Sequence, residues 1–161
     1  MAGRRHVKVT EENGKVYEAD VYLPQIRNII GFLNGTWDLN PYADCFQGKS
    51  KLGDVDASIE LFGHTMVVEF KRDRTALNQG QIVKAIRQAK FSNITTFFVF
   101  GDTNRPVEFL RFSPNCIKGT GYIKTDVTGL RKAFKAWAGW AERNSLIADY
   151  DESWAISKKY C

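Results

Sequence analysis

With 161 residues, of which 43% are apolar and 25% charged, the chain has the size and composition of one folded domain and not of a low-complexity segment. Three widely spaced cysteines without a CxxC pair argue against a disulfide framework or a zinc knuckle and suit a reducing cytoplasm. No stretch reaches the ~18 apolar residues of a membrane span, and the start of the chain lacks the apolar run of a signal peptide. The formal net charge of +5 favours an anionic partner. We therefore expect a cytoplasmic protein with a single domain over residues 1–161.

The first elements in chain order are two strands, a helix and a loop. Residues 6–10 and 15–23 predict short strands around a turn at Asn13-Gly14. Residues 24–35 predict a helix that has Pro24 at its first position and ends at a glycine. Residues 36–51 contain turn formers and aromatic residues without a period, which indicates a loop.

A hairpin follows over residues 53–73, GDVDASIELFGHTMVVEFKRD. A two-residue turn at Gly63-His64, with glycine first, predicts that Phe62 pairs with Thr65. The other facing pairs in this register include three that carry acids: Asp56 with Lys71, Ser58 with Glu69, and Asp54 with Asp73. Facing residues of an antiparallel pair share a side of the sheet, so these charges lie on one face. The other face is apolar and is expected to form core: Ala57, Ile59, Leu61, Met66, Val68 and Phe70.

The remaining elements are two helices and three strands. Residues 76–90 predict a helix with Ile82, Ala85, Ile86 and Ala89 inward. Residues 94–100, ITTFFVF, predict a strand buried on both faces, and 107–112 and 121–125 predict further strands. From Asp126 a last helix turns one apolar stripe inward: Val127, Leu130, Phe134, Trp137 and Ala141, with Trp140 beside them. The order indicates an α/β fold, a central mixed sheet flanked by helices, with a core at about 24–112 and C-terminal strands and helix at about 119–145.

Charges converge on the polar face of the predicted hairpin. Asp56 and Glu69 offer the carboxylate oxygens that a hard dication such as Mg²⁺ prefers. A neighbouring lysine, Lys71, can orient or deprotonate a water, or stabilise charge on a phosphate. The alternative is a cross-strand salt bridge between Asp56 and Lys71 on a solvated face, a common and weakly stabilising feature.

This pattern resembles the core of the PD-(D/E)XK nuclease superfamily, in the form found in RecB-type exonucleases and archaeal Holliday junction resolvases. Glu69-Phe70-Lys71 corresponds to the E-x-K part and follows two apolar strand residues. The G-x-x-D spacing from Gly53 makes Asp56 the best match to the first acid. The proline of the family name is absent, and Asp54 is the rival for that role.

The resemblance implies a restriction-endonuclease-like core, with the order αβββαβ, and hydrolysis of DNA phosphodiester bonds that depends on Mg²⁺ or Mn²⁺. It implies that Asp56, Glu69 and the Phe70 carbonyl hold the metal, with Asp54 helping to hold a second ion, and that Lys71 is catalytic. Family members often place a glutamine of the next helix at the site, and Gln81 is the candidate. An acid from an earlier segment is also found, for which Glu18 is the candidate.

Basic residues close to the hairpin suit a polyanionic partner: Lys49, Lys51, Arg72, Arg74, Lys84, Arg87 and Lys90. Trp37, Tyr42 and Phe46 either stack on bases or cap the core. His64, at the predicted turn tip, is not expected to be a ligand. The expected setting is DNA recombination, repair or phage DNA processing, with a homodimer or an accessory protein supplying specificity. Two alternatives stay open: a nuclease fold kept as a non-catalytic DNA-binding or assembly module, and a nuclease that acts on RNA.

Overall fold

The computed structural model describes residues 3–23, 39–42, 44–46, 55–147 and 152–160. Contacts within the chain divide it into two compact units, residues 1–53 and 54–161, which are described separately. The predicted helix at 24–35, most of the predicted loop and Asp54 lie outside the described residues. The expectation of a single domain stays a prediction.

The described part of the first unit is mainly an antiparallel ribbon of β1 (Gly3–Thr10) and β2 (Val16–Leu23), as the alternation predicts. Gly14 takes a positive φ of 82° in the connecting turn, a conformation that glycine adopts without steric cost. One face of the ribbon pairs a basic strand with an acidic one, and Lys8 lies 2.9 Å from Glu18. A single 3₁₀ turn follows at Asn40–Tyr42.

The second unit contains a five-stranded mixed sheet in the order β3-β4-β5-β6-β7. The strands are β3 (Ala57–Leu61), β4 (His64–Lys71), β5 (Ile94–Asp102), β6 (Arg105–Phe112) and β7 (Ile123–Lys124). Helix α1 (Gln79–Phe91) connects β4 to the parallel β5, and every other neighbouring pair is antiparallel. The longer helix α2 (Val127–Arg143) and the short α3 (Ser153–Ser157) follow. The expected α/β class, a mixed sheet with flanking helices, is confirmed.

Both faces of this sheet carry a buried apolar cluster. The cluster on the α2 side consists of Met66, Val68, Phe97, Val99, Phe109, Leu130, Trp137 and Ala141. The cluster on the α1 side consists of Ala85, Ala89, Phe98, Phe100, Leu110 and Phe112. Strand β5 contributes to both in alternation, because successive strand residues project to opposite faces. Its predicted burial on both faces is therefore confirmed. Of the helices in the described ranges, none has the length and apolar content needed to cross a membrane.

Capping side chains set where α1 and α2 begin. Asn78 Oδ1 accepts a hydrogen bond from the Gln81 amide at 2.9 Å, and Gln81 Oε1 accepts one from the Asn78 amide at 3.4 Å, which makes a capping box. Helix α1 therefore starts at Gln79, three residues later than predicted, and a 3₁₀ turn precedes it. The last helix was predicted to run from Asp126, and Asp126 is the N-cap of α2, where its side chain accepts a hydrogen bond from the Gly129 amide. Val127, predicted inward, is exposed, because the helix reaches the buried cluster only at Leu130.

The hairpin forms as predicted, but its turn is Phe62-Gly63 and not Gly63-His64. Both turn residues have positive φ, 56° and 85°, which is the type I′ pattern. Leu61 therefore pairs with His64, and the predicted register is wrong by two residues. A shift of two keeps every side chain on its predicted face, since the side-chain period of a strand is two.

His64 explains the position of this turn. It is the first residue of β4 and only 4% exposed, and its Nε2 donates a 2.7 Å hydrogen bond to the Asn144 carbonyl at the end of α2. The centroid of its ring also lies 4.6 Å from the ring centroid of Trp140. These contacts bury His64 against α2, so it belongs to the strand and the prediction that it lies at the turn tip is wrong.

The predicted apolar face of the hairpin is buried only in part. Met66 and Val68 belong to the cluster under α2, but Ile59 is exposed and Phe70 is 54% exposed. The cluster is centred on β4, β5 and β6, so β3 reaches it only through the partly buried Leu61, and the end of β4 lies outside it. The expectation that Ala57, Ile59 and Phe70 are core residues is therefore wrong, since all three are exposed.

Candidate metal centre on the hairpin

Glu69 and Lys71 form an ion pair within β4. Lys71 Nζ lies 3.1 Å from Glu69 Oε2, and the two side chains are only 15% and 12% exposed, respectively. In the parallel pairing they lie beside Phe98 and Phe100, two members of the cluster under α1. Glu69 and Lys71 therefore lie on the α1 face of the sheet, where the buried cluster ends, whereas Asp56 is exposed to solvent.

Asp56 lies just before β3, and its carboxylate is held by the end of β4. Its Oδ2 accepts a 2.7 Å hydrogen bond from the Phe70 amide. The last residue pair of the hairpin is Ala57 with Val68, which places Asp56 next to Glu69 along the strands. The predicted pairing of Asp56 with Lys71 is therefore wrong, because the shifted turn moves every partner by two positions.

One oxygen of each carboxylate has no hydrogen-bond partner in the part of the chain that the structure describes. Asp56 uses Oδ2 and Glu69 uses Oε2 in the bonds above, whereas Asp56 Oδ1 and Glu69 Oε1 make no hydrogen bond to any residue within the described ranges. The N–H and C=O of one strand residue point to the same side of the strand. The Phe70 carbonyl therefore points, like its amide, to the side where β3 has ended.

These groups are oxygen donors, the ligand type that Mg²⁺ and Mn²⁺ prefer. Among the residues that the structure describes, no group of three or more His, Cys, Asp and Glu side chains is positioned to hold a metal ion. The candidate centre has two such side chains within those residues, Asp56 and Glu69, because Asp54 lies outside them. Main-chain oxygen from Phe70, water and substrate would complete the coordination shell.

Gln81 lies at the start of α1, at the end of the sheet where β4 also ends. Its side-chain oxygen belongs to the capping box, and its side-chain nitrogen makes no hydrogen bond to the described part of the chain. That nitrogen is a donor available to a bound phosphate or water. The expected role of Gln81 at the site stays a prediction.

The other described sequence candidates are divided between the two units. Glu18 lies in the first unit, where it pairs with Lys8. Tyr42 and Phe46 are exposed residues of the same unit. Trp37, Lys49 and Lys51 lie outside the described residues, and Arg72, Lys84, Arg87 and Lys90 are exposed in the second unit.

A cluster around Arg74 was not predicted from the sequence. The Arg74 guanidinium donates two 2.6 Å hydrogen bonds, from Nε and Nη2, to the two carboxylate oxygens of Glu108 on β6. Its Cζ lies 3.9 Å from the ring centroid of Tyr122, whose other neighbour is Phe100 at 5.6 Å between ring centroids. Hydrogen bonding lowers the pKa of Glu108 below its usual range and raises the pKa of Arg74. The sequence identified Arg74 only as one basic residue among several, since Glu108 is 34 positions away and carries no local pattern.

Asp73 orders the chain between Lys71 and α1. Its Oδ1 accepts hydrogen bonds from both the amide and the hydroxyl of Thr75, which lowers the pKa of Asp73 below its usual range. Together with the Arg74–Glu108 ion pair, these bonds fix the segment that immediately follows Lys71.

No protein-family model matches the chain, and comparisons with curated proteins and with solved structures also give no match.

Proposed function

We propose that the protein is a DNA nuclease that hydrolyses phosphodiester bonds with the help of a divalent metal ion. The observation that carries the proposal is the position of the Asp56 carboxylate, which the Phe70 amide holds next to Glu69, with Lys71 on the same face. Two acids and a lysine at the end of one hairpin are the groups that such a reaction requires.

Asp56, Glu69 and the Phe70 carbonyl would hold Mg²⁺ or Mn²⁺, and Asp54 would help to hold a second ion. A bound dication polarises the phosphoryl oxygen and makes a bound water more acidic. The three ionised side chains Asp56, Glu69 and Lys71 carry one net negative charge. A dication reverses the sign of that charge, so that the occupied site attracts a phosphate.

Lys71 has two roles in this proposal. Its ammonium neutralises part of the charge of Glu69, whose side chain is only 12% exposed. When a phosphate binds, the same ammonium orients the attacking water or stabilises the negative charge that develops on the phosphorus oxygens. Gln81 would donate a hydrogen bond to the water or to a phosphate oxygen.

The topology of the second unit supports this assignment. Hairpin β3–β4, helix α1 and the parallel strand β5 follow one another in the order expected for the later part of a restriction-endonuclease-like αβββαβ core. The acidic and basic side chains lie on β4 and just before β3, which are the positions that the resemblance to PD-(D/E)XK nucleases implies. DNA is the proposed substrate, and recombination, repair or phage DNA processing is the proposed setting.

A second candidate is a nuclease fold kept as a DNA-binding or assembly module. The observation that favours it is the Glu69–Lys71 ion pair, which satisfies both charges without a metal. In such a module, substitutions at Glu69 would change the stability of the fold, and there would be no cleavage activity to lose.

Cleavage assays with purified protein test the proposal. The substrates are supercoiled, linear, single-stranded and branched DNA and a structured RNA, each with Mg²⁺, Mn²⁺ or EDTA. Glu69→Gln is compared with Glu60→Gln, which lies on the same face of the hairpin and keeps the oxygen that accepts from the Gly63 amide. We expect metal-dependent DNA cleavage by the wild type and by Glu60→Gln but not by Glu69→Gln. Cleavage by all three would remove Glu69 from the mechanism, and no cleavage by a folded wild type that binds DNA would favour the module.

A further inference from the structure

A row of paired residues crosses the α1 face from the candidate metal centre to the edge strand β7. Lys71 pairs with Phe100, Phe100 with Glu108, and Glu108 with Lys124. Adjacent strands are about 4.8 Å apart, so the backbone of Glu108 lies about 10 Å, and that of Lys124 about 15 Å, from the backbone of Lys71. That span corresponds to a few nucleotides of a DNA strand, at about 3.4 Å each along a helix axis.

Arg74 lies above this row in a fixed orientation. Its two hydrogen bonds to Glu108 fix the plane of the guanidinium, and the Tyr122 ring packs against one face of that plane. The Arg74 side chain is still 55% exposed, so a ligand can reach it from solvent. A planar cation that is held in this way differs from an ordinary surface arginine, which loses side-chain entropy when it binds a ligand.

We propose that Arg74 and Tyr122 form a stacking platform for a base of an unpaired nucleotide, and that the exposed Lys124 contacts a neighbouring phosphate. Glu108 already occupies Nε and Nη2 of Arg74, so the free face of the guanidinium, and not its hydrogen-bonding edge, is the main surface left for a ligand. Nucleic-acid bases stack on such guanidinium planes and on aromatic rings. The face of a base is accessible only where the base is not stacked in a duplex. The preferred substrate is therefore DNA with an unpaired segment next to the scissile phosphate, an inference that rests on the proposed function for the cleavage step only.

Binding in EDTA tests the platform without cleavage. Fluorescence anisotropy is measured with a labelled single strand of about ten nucleotides, within the usual site sizes for such proteins, and with its duplex. Arg74→Lys keeps the positive charge but removes the planar guanidinium group. The matched control is Arg131→Lys, since Arg131 is exposed on α2, on the opposite side of the sheet. We expect Arg74→Lys to weaken single-strand binding by about 5-fold to 100-fold, the range for one stacked base. Duplex binding by Arg74→Lys, and all binding by Arg131→Lys, should stay close to wild type.

A strand that contains 2-aminopurine reports stacking directly. Its fluorescence should be quenched on binding to the wild type and less so on binding to Tyr122→Leu. This second variant decides the matter if the melting temperature shows that Arg74→Lys is not folded. Equal single-strand binding by the wild type and the folded variants, or a preference of the wild type for duplex, would overturn the platform.

The results separate this inference from the proposed function. If the protein cleaves DNA but its binding does not depend on Arg74, the proposed stacking platform is wrong and the proposed nuclease function stands. If single-strand binding depends on Arg74 but no cleavage occurs under any metal condition, the stacking platform stands and the proposed nuclease function is wrong.

Discussion

The Phe70 amide donates a 2.7 Å hydrogen bond to Oδ2 of Asp56. This bond follows directly after the last β3–β4 residue pair, so a side chain replaces the strand backbone as the partner of β4. It fixes the position of the Asp56 carboxylate next to Glu69, and Oδ1 makes no hydrogen bond to the described residues. One carboxylate therefore has a structural role and a proposed catalytic role, and two substitutions separate them.

Asp56→Asn should keep the structural role and lose the catalytic one. Its side-chain oxygen still accepts from the Phe70 amide, so the free energy of unfolding should change by less than about 0.5 kcal/mol. Asp56→Ala removes the acceptor and should cost about 1 kcal/mol. Both should reduce metal-dependent cleavage by at least about 100-fold, because a metal ligand is lost. Urea unfolding and cleavage rates measure the two effects, and wild-type cleavage by the asparagine variant would contradict the assignment.

Lys71→Met should bind metal more tightly and cleave more slowly than the wild type. Without metal, the Glu69 carboxylate loses its charged partner although its side chain is only 12% exposed, and the free energy of unfolding should fall by about 1–3 kcal/mol. A bound dication replaces the missing charge, so Mn²⁺ should raise the melting temperature of Lys71→Met more than that of the wild type. Lys84→Met, at an exposed position of α1, is the control. Equal stabilisation of all three proteins by Mn²⁺ would show that Glu69 is not a metal ligand.

Gly63→Ala tests the type I′ turn and the contact of the hairpin with the chain after α2. Gly63 has a φ of +85°, and an added Cβ would lie 2.8 Å from the Leu146 Cβ, so the variant should lose about 1–3 kcal/mol of stability. Gly121→Ala is the control, because Gly121 has a φ of +72° but no atom within 4 Å of an added Cβ. The free energies of unfolding of the two variants are measured by chemical denaturation. Gly121→Ala reports the backbone strain at positive φ alone, and Gly63→Ala reports that strain together with the clash with Leu146. Equal losses would mean that the Leu146 contact contributes nothing.

The hairpin shows how much of a structure can be predicted from the alternation of polar and apolar residues along a strand. Alternation placed Asp56, Glu69 and Lys71 on one face, because a strand has a side-chain period of two. The same period cannot distinguish registers that differ by two residues, so the facing partners were predicted incorrectly. The register depends on the burial of His64 against Trp140 and on its bond to the Asn144 carbonyl, and those residues are distant in sequence.

Long-range contacts limited the other predictions in the same way. The inward stripe of α1 could be predicted, since Ala85 and Ala89 repeat at helical spacing and both are buried. The exposure of Phe70 could not be predicted from the sequence, because it depends on where α2 crosses the sheet. The Arg74–Glu108–Tyr122 cluster joins three separate segments and has no sequence signature.

The Arg74–Glu108 ion pair should make stability depend on pH at acid values. The pKa of Glu108 is lower in the folded protein than in the unfolded chain, where it is about 4.3. The stabilisation is therefore complete above that value and is lost as the pH falls through the lower, folded pKa. Glu108→Gln should be less stable than the wild type at pH 7, and the difference should shrink as the pH falls below about 4.

Melting temperatures between pH 7 and about pH 3 measure this difference. Glu142→Gln is the control, since Glu142 is exposed and makes no ion pair with the residues that the structure describes. A difference between wild type and Glu108→Gln that stays constant over this pH range would show that the charge of Glu108 contributes nothing.

The most direct test of the metal centre is calorimetric titration of Mn²⁺ into the wild type, Asp56→Asn and Glu69→Gln, with Glu60→Gln as the control. If Asp56 and Glu69 hold one ion together, the wild type and the control bind Mn²⁺ and each of the other two variants loses that binding. Unchanged Mn²⁺ binding by both Asp56→Asn and Glu69→Gln, or no binding by a folded wild type, would contradict the proposed centre.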